Sequence, residues 1–215
     1  MDLSTQYLGL TLKNPLVPSA APLSRSLDTA RRLEDAGASA LVMYSLFEEE
    51  IRQEDELFDA YLFNQDIGHA EAHSYRPFPE EHGSIIDNYL AQLAQLKQAL
   101  EIPVVASLNG ISAGGWVDHA LEIQQTGADA LELNIYFVAA DISESSAAVE
   151  QRYLDTLRAV KSRVDIPLIV KLSPFFSSVG NMVKRLEVAG ADGVSLFNRF
   201  YQPGIDLESL EVKPQ

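Results

Sequence analysis

A repeated block constrains the fold of this 215-residue chain more than any other feature. Residues 37–44, 127–134 and 190–197 share a template in which Gly-Ala leads into a short, mostly apolar run. Residues 102–109 and 166–173 share a second template, which begins with Ile-Pro and recurs after 64 residues. Helical patterns separate the templates, so each unit has roughly 32 residues, the size of a strand plus a crossover helix. The repeat predicts a parallel α/β protein.

The composition excludes several classes of function. The formal net charge of −15 predicts an acidic surface, which would repel nucleic acids and anionic membranes. The absence of cysteine excludes disulfides, thiolate metal sites, iron–sulfur clusters and a cysteine nucleophile. Residues 1–4 lack a basic signal-peptide start, and no apolar run approaches the roughly 20 residues of a membrane span, so we predict a cytoplasmic protein. No linker divides residues 1–215, which are predicted to form one domain.

Periodicity and turn residues predict the elements in order. A small hairpin is predicted at residues 5–13, and the acidic run Glu48-Glu49-Glu50 is predicted to be a solvated helix start. The rest of 45–83 is predicted to be a loop or lid. Strands are predicted at 16–20, 40–44, 103–108, 130–135, 167–172 and 194–197, and helices at 26–35, 84–100, 112–125, 144–162 and 178–188.

Six strand–helix units without a reversal favour a (β/α)₈ barrel over an open doubly wound sheet. The open sheet would carry a Gly-x-Gly-x-x-Gly turn after its first strand, and the sequence has none there. A complete barrel has eight strands and about 250 residues, so the prediction is an incomplete barrel of about six units. Its first and last strands would have unpaired edges, which favour a homo-oligomer or a strand-edge partner.

Polar residues concentrate where the inward faces of the predicted strands end. Barrel interiors are normally filled by Val, Ile and Leu, so polar inward positions indicate a wet or ligand-filled mouth. Glu132 and Lys171 fall on neighbouring strands and are predicted to pair. The template alignment also places Tyr44 and Phe197 at strand ends equivalent to that of Asn134. The predicted inward polar set is Ser107, Asn109, Glu132, Asn134, Lys171 and Ser173.

Four short motifs resemble the dihydroorotate dehydrogenase family, an FMN-dependent (β/α)₈ group. They are Val170-Lys171-Leu172-Ser173-Pro174, Leu131-Glu132-Leu133-Asn134, Asn14-Pro15-Leu16 and Asn198-Arg199-Phe200. The resemblance runs the whole length of the chain but covers only the first part of such a protein. It implies an FMN oxidoreductase that acts on CH–CH donors, passing hydride between flavin N5 and a small substrate. That substrate would be dihydroorotate or a related carbonyl or heterocycle, as in pyrimidine biosynthesis.

The resemblance also implies a set of site residues. Lys171 would lie beside flavin N1 and O2, where a fixed cation offsets the negative charge that develops as hydride reaches N5. Ser19 and Ala20 would meet the flavin through their backbone. Asn134 and Asn198 would bind substrate. The implied cofactor-binding set is Ser19, Ala20, Ser45, Asn109, Asn134 and Lys171.

The chain departs from the family pattern at several positions. The family's general base, Cys or Ser, follows the strand-four Asn by three residues, and Phe137 occupies that position here. A phenyl ring cannot accept a proton, so no catalytic base is assigned. The family's lysine after strand two aligns with Tyr44, and its substrate loop is not recognisable within residues 63–80. Strands seven and eight, which hold the FMN phosphate in the family, lie beyond the six predicted units.

Structural interpretations compete with each functional one. Lys171 is the cation of a site or a snorkelling surface lysine, and Asn134 is a ligand or a loop cap. Asn109 precedes Gly110 and suits a plain Asn-Gly turn, and the loop residue Asn198 needs no ligand. His69 and His73, with Glu71 between them and His82 after them, lack a third ligand at convincing spacing, so no metal is predicted. The alternative function is a catalytically silent barrel fragment completed by a partner chain.

Overall fold

The computed structural model describes residues 1–64, 83–110, 115–198, 203–206 and 212–214. Its strands are β1 Thr5–Tyr7, β2 Leu10–Leu12, β3 Leu41–Phe47, β4 Val104–Asn109, β5 Ala130–Asn134, β6 Leu168–Leu172, β7 Gly193–Leu196, β8 Pro203–Ile205 and β9 Val212–Pro214. Its helices are α1 Leu27–Asp35, α2 Glu48–Asn64, α3 Ile85–Ala99, α4 Gly115–Thr126, α5 Ser146–Lys161 and α6 Val179–Ala189, and a 3-10 turn spans Pro22–Arg25. No helix within these described ranges is both long and apolar enough to cross a bilayer.

Strands β3 to β7 form one parallel sheet whose order follows the chain. A doubly wound sheet reverses its strand order at a switch point, and this sheet does not. An unreversed parallel sheet with helices between its successive strands is the arrangement of a TIM-barrel-like α/β fold. The predicted parallel α/β class is therefore confirmed, and so is the small antiparallel hairpin of β1 and β2.

The first predicted strand, residues 16–20, is not a strand. Only two ladder-like hydrogen bonds reach it from the β3 side, from Ser39 N to Leu16 O at 2.9 Å and from Val42 N to Pro18 O at 3.1 Å. Proline has no N–H to donate, so the prolines at 15 and 18 prevent a continuous ladder. The parallel sheet in the described residues thus has five strands and not the six predicted.

The predicted loop after the second strand is also wrong over most of its described part. Strand β3 continues to Phe47, and α2 begins directly at Glu48. The three glutamates form the first turn of that helix, where the positive end of the helix dipole favours them, so the predicted acidic helix start is confirmed. Residues 65–82 lie outside the described residues, and the lid predicted there stays a prediction.

In two of the repeats, one helix side chain accepts hydrogen bonds from the backbone just before the following Ile-Pro strand. The Glu34 carboxylate accepts hydrogen bonds from the backbone N–H groups of residues 101 and 102, at 2.8 and 3.0 Å. The Gln124 amide oxygen accepts the equivalent pair from residues 165 and 166, at 2.6 and 3.2 Å. Both side chains stand three positions before the template glycine. The Gly-Ala template is therefore structurally tied to the Ile-Pro template that follows it.

The aspartate of the Gly-Ala-Asp template makes a second repeated contact. Asp129 Oδ2 accepts from Val104 N at 2.7 Å, and Asp192 Oδ2 accepts from Leu168 N at 2.8 Å. Each carboxylate therefore satisfies the first N–H of a neighbouring strand, which would otherwise be buried without a partner. In both copies a lysine completes the contact: Lys97 at 2.5 Å and Lys161 at 2.7 Å.

We predict that Asp129→Ala lowers the free energy of unfolding by about 2 kcal/mol, because the buried N–H of Val104 loses its hydrogen-bond acceptor. The measurement is urea denaturation followed by circular dichroism. The matched control is Asp155→Ala, which breaks an exposed ion pair with Arg158 and should change stability by less than about 0.5 kcal/mol. Equal effects of the two substitutions would contradict the role assigned to Asp129.

The two faces of the sheet differ in what covers them. The outward face packs against the helices in the main core, which contains residues such as Leu131, Val170 and Trp116. The inward face has a small apolar cluster, which we call the floor: Val42, Val105, Ala130 and Ile169. Tyr7 and Leu8 from the hairpin and Val17 and Ala20 from the following segment pack against it. The hairpin therefore closes the amino-terminal end of the inward face and leaves the carboxyl end to polar residues.

Candidate functional site

Four inward side chains on adjacent strands form a continuous chain of contacts, which we call the polar ladder: Ser45, Ser107, Glu132 and Lys171. The Ser45 and Ser107 hydroxyl oxygens are 2.9 Å apart, and Ser107 Oγ donates to Glu132 Oε1 at 3.0 Å. Lys171 Nζ lies 3.5 Å from the same carboxylate oxygen. The predicted pairing of Glu132 with Lys171 is confirmed.

A bulge in β3 brings Ser45 into the ladder. The register with β4 shifts between Val42 and Ser45, so Ser45 pairs with Ser107. Tyr44 consequently packs on the outward core, where its ring meets Tyr89 edge-on at 5.1 Å between centroids. The predicted alignment of Tyr44 with the inward strand end of Asn134 is therefore wrong, because the template cannot register an inserted residue.

Beside the bulge, the Tyr89 hydroxyl forms hydrogen bonds with the backbone of Ser107. Its hydroxyl donates to the Ser107 carbonyl at 3.1 Å and accepts from the Ser107 N–H at 2.9 Å. Burial raises the pKa of Tyr89 far above its ordinary value, so the phenol remains a neutral donor and acceptor. Sequence reasoning missed Tyr89, because a buried tyrosine at a helical position looks like any other core residue.

The ladder is buried and carries two charges. Ser107 is fully buried, and the side chains of Glu132 and Lys171 are 3% and 12% exposed. Buried charges require partners, and this pair supplies one to the other. The pKa of Tyr7 is raised, first by its burial and second by the negative charge of Glu132, so this residue caps the floor as a neutral phenol. The snorkelling interpretation of Lys171 is wrong, because its ammonium points at a buried carboxylate.

Two asparagines near the strand ends have unpaired amide atoms. Asn134 ends β5, is 8% exposed, and its Oδ1 is buried with no partner among the described residues. Asn198 follows β7, where its backbone N–H donates to Leu172 O at 2.8 Å. Its Nδ2 is likewise buried without a partner in the described part of the chain. Such groups are rare in folded proteins and call for a partner. This pair offers one acceptor and one donor.

Asn109 and Ser173 complete the polar strand ends. Asn109 lies beside Asn134 in the register, and Ser173 directly follows β6 and is 4% exposed. Gly110, after Asn109, does not adopt a positive φ. A Cβ there would lie 2.8 Å from Trp116 Nε1 and 2.9 Å from Glu48 Cβ, so close packing requires the glycine. Packing therefore explains the glycine at 110, and the plain Asn-Gly turn stays a prediction because residues 111–114 lie outside the described residues.

No family model matches the chain, but curated proteins do. Subunit PreA of the NAD-dependent dihydropyrimidine dehydrogenase of Escherichia coli K12 is 24% identical over 205 residues, which cover 92% of this chain and 48% of PreA. The catalytic subunit of dihydroorotate dehydrogenase B (NAD(+)) from Halalkalibacterium halodurans is 33% identical over 129 residues, 58% of this chain and 40% of that one. A putative dihydroorotate dehydrogenase A (fumarate) from Aeropyrum pernix is 28% identical over 220 residues, 96% and 64% respectively. The chain is therefore similar in sequence to dihydroorotate dehydrogenases.

This dihydroorotate dehydrogenase-like chain spans from 40% to 64% of the length of those three relatives. Among solved structures, a dihydrodipicolinate synthase matches with a TM-score of 0.50 and 10% identity, over 86% of this chain and 56% of the other. At that identity the likeness concerns the fold alone. It agrees with the TIM-barrel-like arrangement of the parallel sheet.

Phe137, at the position of the family's base, packs against the side chain of Arg152. The Arg152 guanidinium carbon lies 3.9 Å from the centre of its ring, and Arg152 Nη2 also bonds Glu144 at 2.5 Å. A cation over an aromatic face stabilises the ring in that position. Further along the chain, the Ser145 hydroxyl caps α5 by accepting from Ala148 N at 3.2 Å.

The remaining predicted residues differ in their surroundings. Ala20 packs against the floor, Ser19 is exposed, and Phe197 is 45% exposed at the end of β7. The cofactor and substrate roles of these residues stay predictions. Within the described ranges no group of three or more acidic or histidine side chains could hold a metal, and His69, His73 and His82 lie outside those ranges.

Proposed function

We propose that this dihydroorotate dehydrogenase-like chain belongs to an FMN oxidoreductase that passes hydride between a small substrate and the flavin. One observation carries the proposal: a largely buried ammonium, Lys171, lies in register with Asn134, and the amides of Asn134 and Asn198 have unpaired polar atoms. A flat heterocycle with a donor and acceptors at its edge matches those groups. The curated relatives, named as dehydrogenases, support the same class.

The residues present fit the pyrimidine-like end of an isoalloxazine ring. When bound, FMN supplies a hydride acceptor at N5. Lys171 would donate to the N1–C2=O edge and stabilise the negative charge there, since a fixed ammonium in a dry site needs no reorganisation. Asn134 Oδ1 would accept from a ring N–H, and Asn109 would orient the ring from the next strand. The floor below the ladder keeps water from that side.

The substrate in this proposal is a small carbonyl compound or heterocycle related to dihydroorotate. Phe137 offers no lone pair, so proton removal from dihydroorotate C5 has no base at the family's usual position. A substrate whose hydride transfer needs no base there suits the chain better. Asn198 would hold that substrate through its Nδ2 donor.

A second candidate is a catalytically silent fragment whose sheet is completed by a partner chain. One observation favours it: the outer edge of β7 pairs with no strand in the described residues. Such an edge is a template for another chain. The relative PreA is named as a subunit, which makes a partner, or a second copy, a reasonable proposal for this chain too.

The deciding experiment is an absorbance spectrum of the purified 215-residue chain after incubation with excess FMN and desalting. We expect a retained band at about 450 nm, where oxidised FMN absorbs. Riboflavin in a parallel sample separates ring binding from phosphate binding, because it lacks the phosphate. A chain that retains neither flavin, and that elutes in size-exclusion chromatography as a stable oligomer, would support the second candidate and contradict the first.

A further inference from the structure

The polar ladder contains a group that the proposed function does not use, the carboxylate of Glu132. We propose that Glu132 is a positioning residue, which sets the place and the effective charge of the Lys171 ammonium and thereby tunes how strongly the site prefers reduced over oxidised flavin. This inference rests on the proposed function. Ser45 and Ser107 hold the Glu132 carboxylate in place through their hydroxyl groups.

The hydrogen bonds of the ladder run in one direction. Ser107 has a single hydroxyl proton, and it donates that proton to Glu132 Oε1. Ser45 must then be the donor in its 2.9 Å contact with Ser107. Both O–H dipoles therefore point toward Glu132, and such chains polarise one another. The serines thus stabilise a negative charge on Glu132 and hold it on one side of the ammonium.

The geometry leaves the ammonium able to serve a ligand. The 3.5 Å separation between Lys171 Nζ and Glu132 Oε1 is long for a direct hydrogen bond, so the pair is held mainly by charge. An ammonium has three N–H donors, and Glu132 is its one charged partner among the described residues. Glu132 is also the more deeply buried of the two, at 3% against 12% side-chain exposure. The register places Lys171 beside Asn134 near the strand ends, one inward position beyond the level of Glu132.

Stability alone does not explain this pair. Buried ion pairs replaced by well-packed apolar residues are often neutral or stabilising. The neighbouring inward positions of the same strands are already apolar, with Ala130 below Glu132 and Ile169 below Lys171. A second apolar layer would therefore suit the sheet as well as the ladder does. A charged layer at this level instead indicates a requirement for a cation whose position and strength are controlled.

The test is a double-mutant cycle on the two-electron potential of bound FMN, with Glu132→Gln, Lys171→Met and the double variant. Glu132→Gln removes the counter-charge, so the affinity ratio of reduced to oxidised flavin should rise about tenfold, a positive shift of about 30 mV. In the Lys171→Met background the same substitution should change the ratio by less than about twofold, because no ammonium remains to be unmasked. Glu187→Gln, which breaks an exposed pair with Lys184, is the matched control and should leave the ratio unchanged.

A further variant covers the case in which Glu132→Gln does not fold. Ser107→Ala keeps both charges and removes the donor that holds the carboxylate back. Glu132 is then free to approach Lys171, so the affinity ratio should fall about threefold, opposite in sign to the glutamine variant. This effect too should vanish in the Lys171→Met background.

The outcomes separate the inference from the proposed function. A wild-type chain that binds no flavin overturns the proposed function and this inference with it. Flavin bound with no change of potential in Glu132→Gln overturns the inference alone, and so does an equal change in the presence and absence of Lys171. A loss of thermal stability without a change of potential assigns Glu132 a purely structural role, which also overturns the inference.

Discussion

Lys171→Met is expected to lower the affinity of the chain for FMN by at least about 100-fold. The substitution removes a charge-assisted hydrogen bond, which contributes about 1.5–3 kcal/mol. It also leaves the buried carboxylate of Glu132 without its cation and facing an electron-rich ring edge. The two effects act in the same direction, because the unpaired carboxylate repels the charge that the ammonium attracts. Titration of FMN by its fluorescence measures the dissociation constant directly.

Two control variants make this result specific. Lys184→Met removes an exposed lysine that pairs with Glu187 on α6, and it should leave FMN affinity within about twofold of the wild type. Lys171→Arg keeps the charge but changes the shape of the donor, and an intermediate affinity is expected. If Lys171→Met binds FMN as tightly as the wild type does, then the ammonium lies outside the flavin site and the proposed function loses its central residue.

The repeat predicted the fold class because it records contacts that recur between copies. Glu34 and Gln124 stand at the same place in their templates and fasten equivalent strand starts, and so do Asp129 and Asp192. Local sequence is sufficient to reveal such a pattern, since the partners recur at fixed spacing. The start of α2 at Glu48 could also be predicted from the sequence, because acidic residues favour a helix amino terminus.

The errors in the predicted fold came from features that occur once. Residues 16–20 look like a strand in composition, but the prolines at 15 and 18 interrupt any ladder. The bulge between Val42 and Ser45 inserts one residue that the template does not contain, and it turns Tyr44 outward. The Tyr89 hydroxyl compensates for it through a contact between the consecutive elements α3 and β4. Sequence periodicity cannot reveal such a contact.

In the candidate site too, strand periodicity predicted some features, whereas others depend on neighbours in space. The period of two along a strand was enough to place Glu132 and Lys171 on one face, and their contact followed from adjacent strands. The unpaired atoms of Asn134 and Asn198 were not visible in the sequence, because pairing depends on every neighbour in space. The same holds for Arg152, whose position over Phe137 depends on how α5 packs. Flavin contacts at Ser19, Ala20 and Asn109 stay predictions.

Glu132→Leu is expected to lower the free energy of unfolding by about 3 kcal/mol, because it leaves the ammonium of Lys171 in a largely buried place without a counter-charge. Urea denaturation of the flavin-free chain measures this effect, so the result does not depend on any cofactor. Glu187→Leu, on an exposed pair, should change stability by less than about 1 kcal/mol.

The double variant Glu132→Leu with Lys171→Met tests whether the ion pair serves a ligand or the fold. If the ladder serves a ligand and not the fold, replacing both charges by apolar side chains should restore stability to within about 1 kcal/mol of the wild type. Ser107 then donates to Ser45 in place of Glu132, and the proton of the half-buried Ser45 is left for solvent. Stability regained together with lost FMN binding would assign the ion pair to function. A double variant as unstable as the two single losses combined would instead make the pair part of the scaffold.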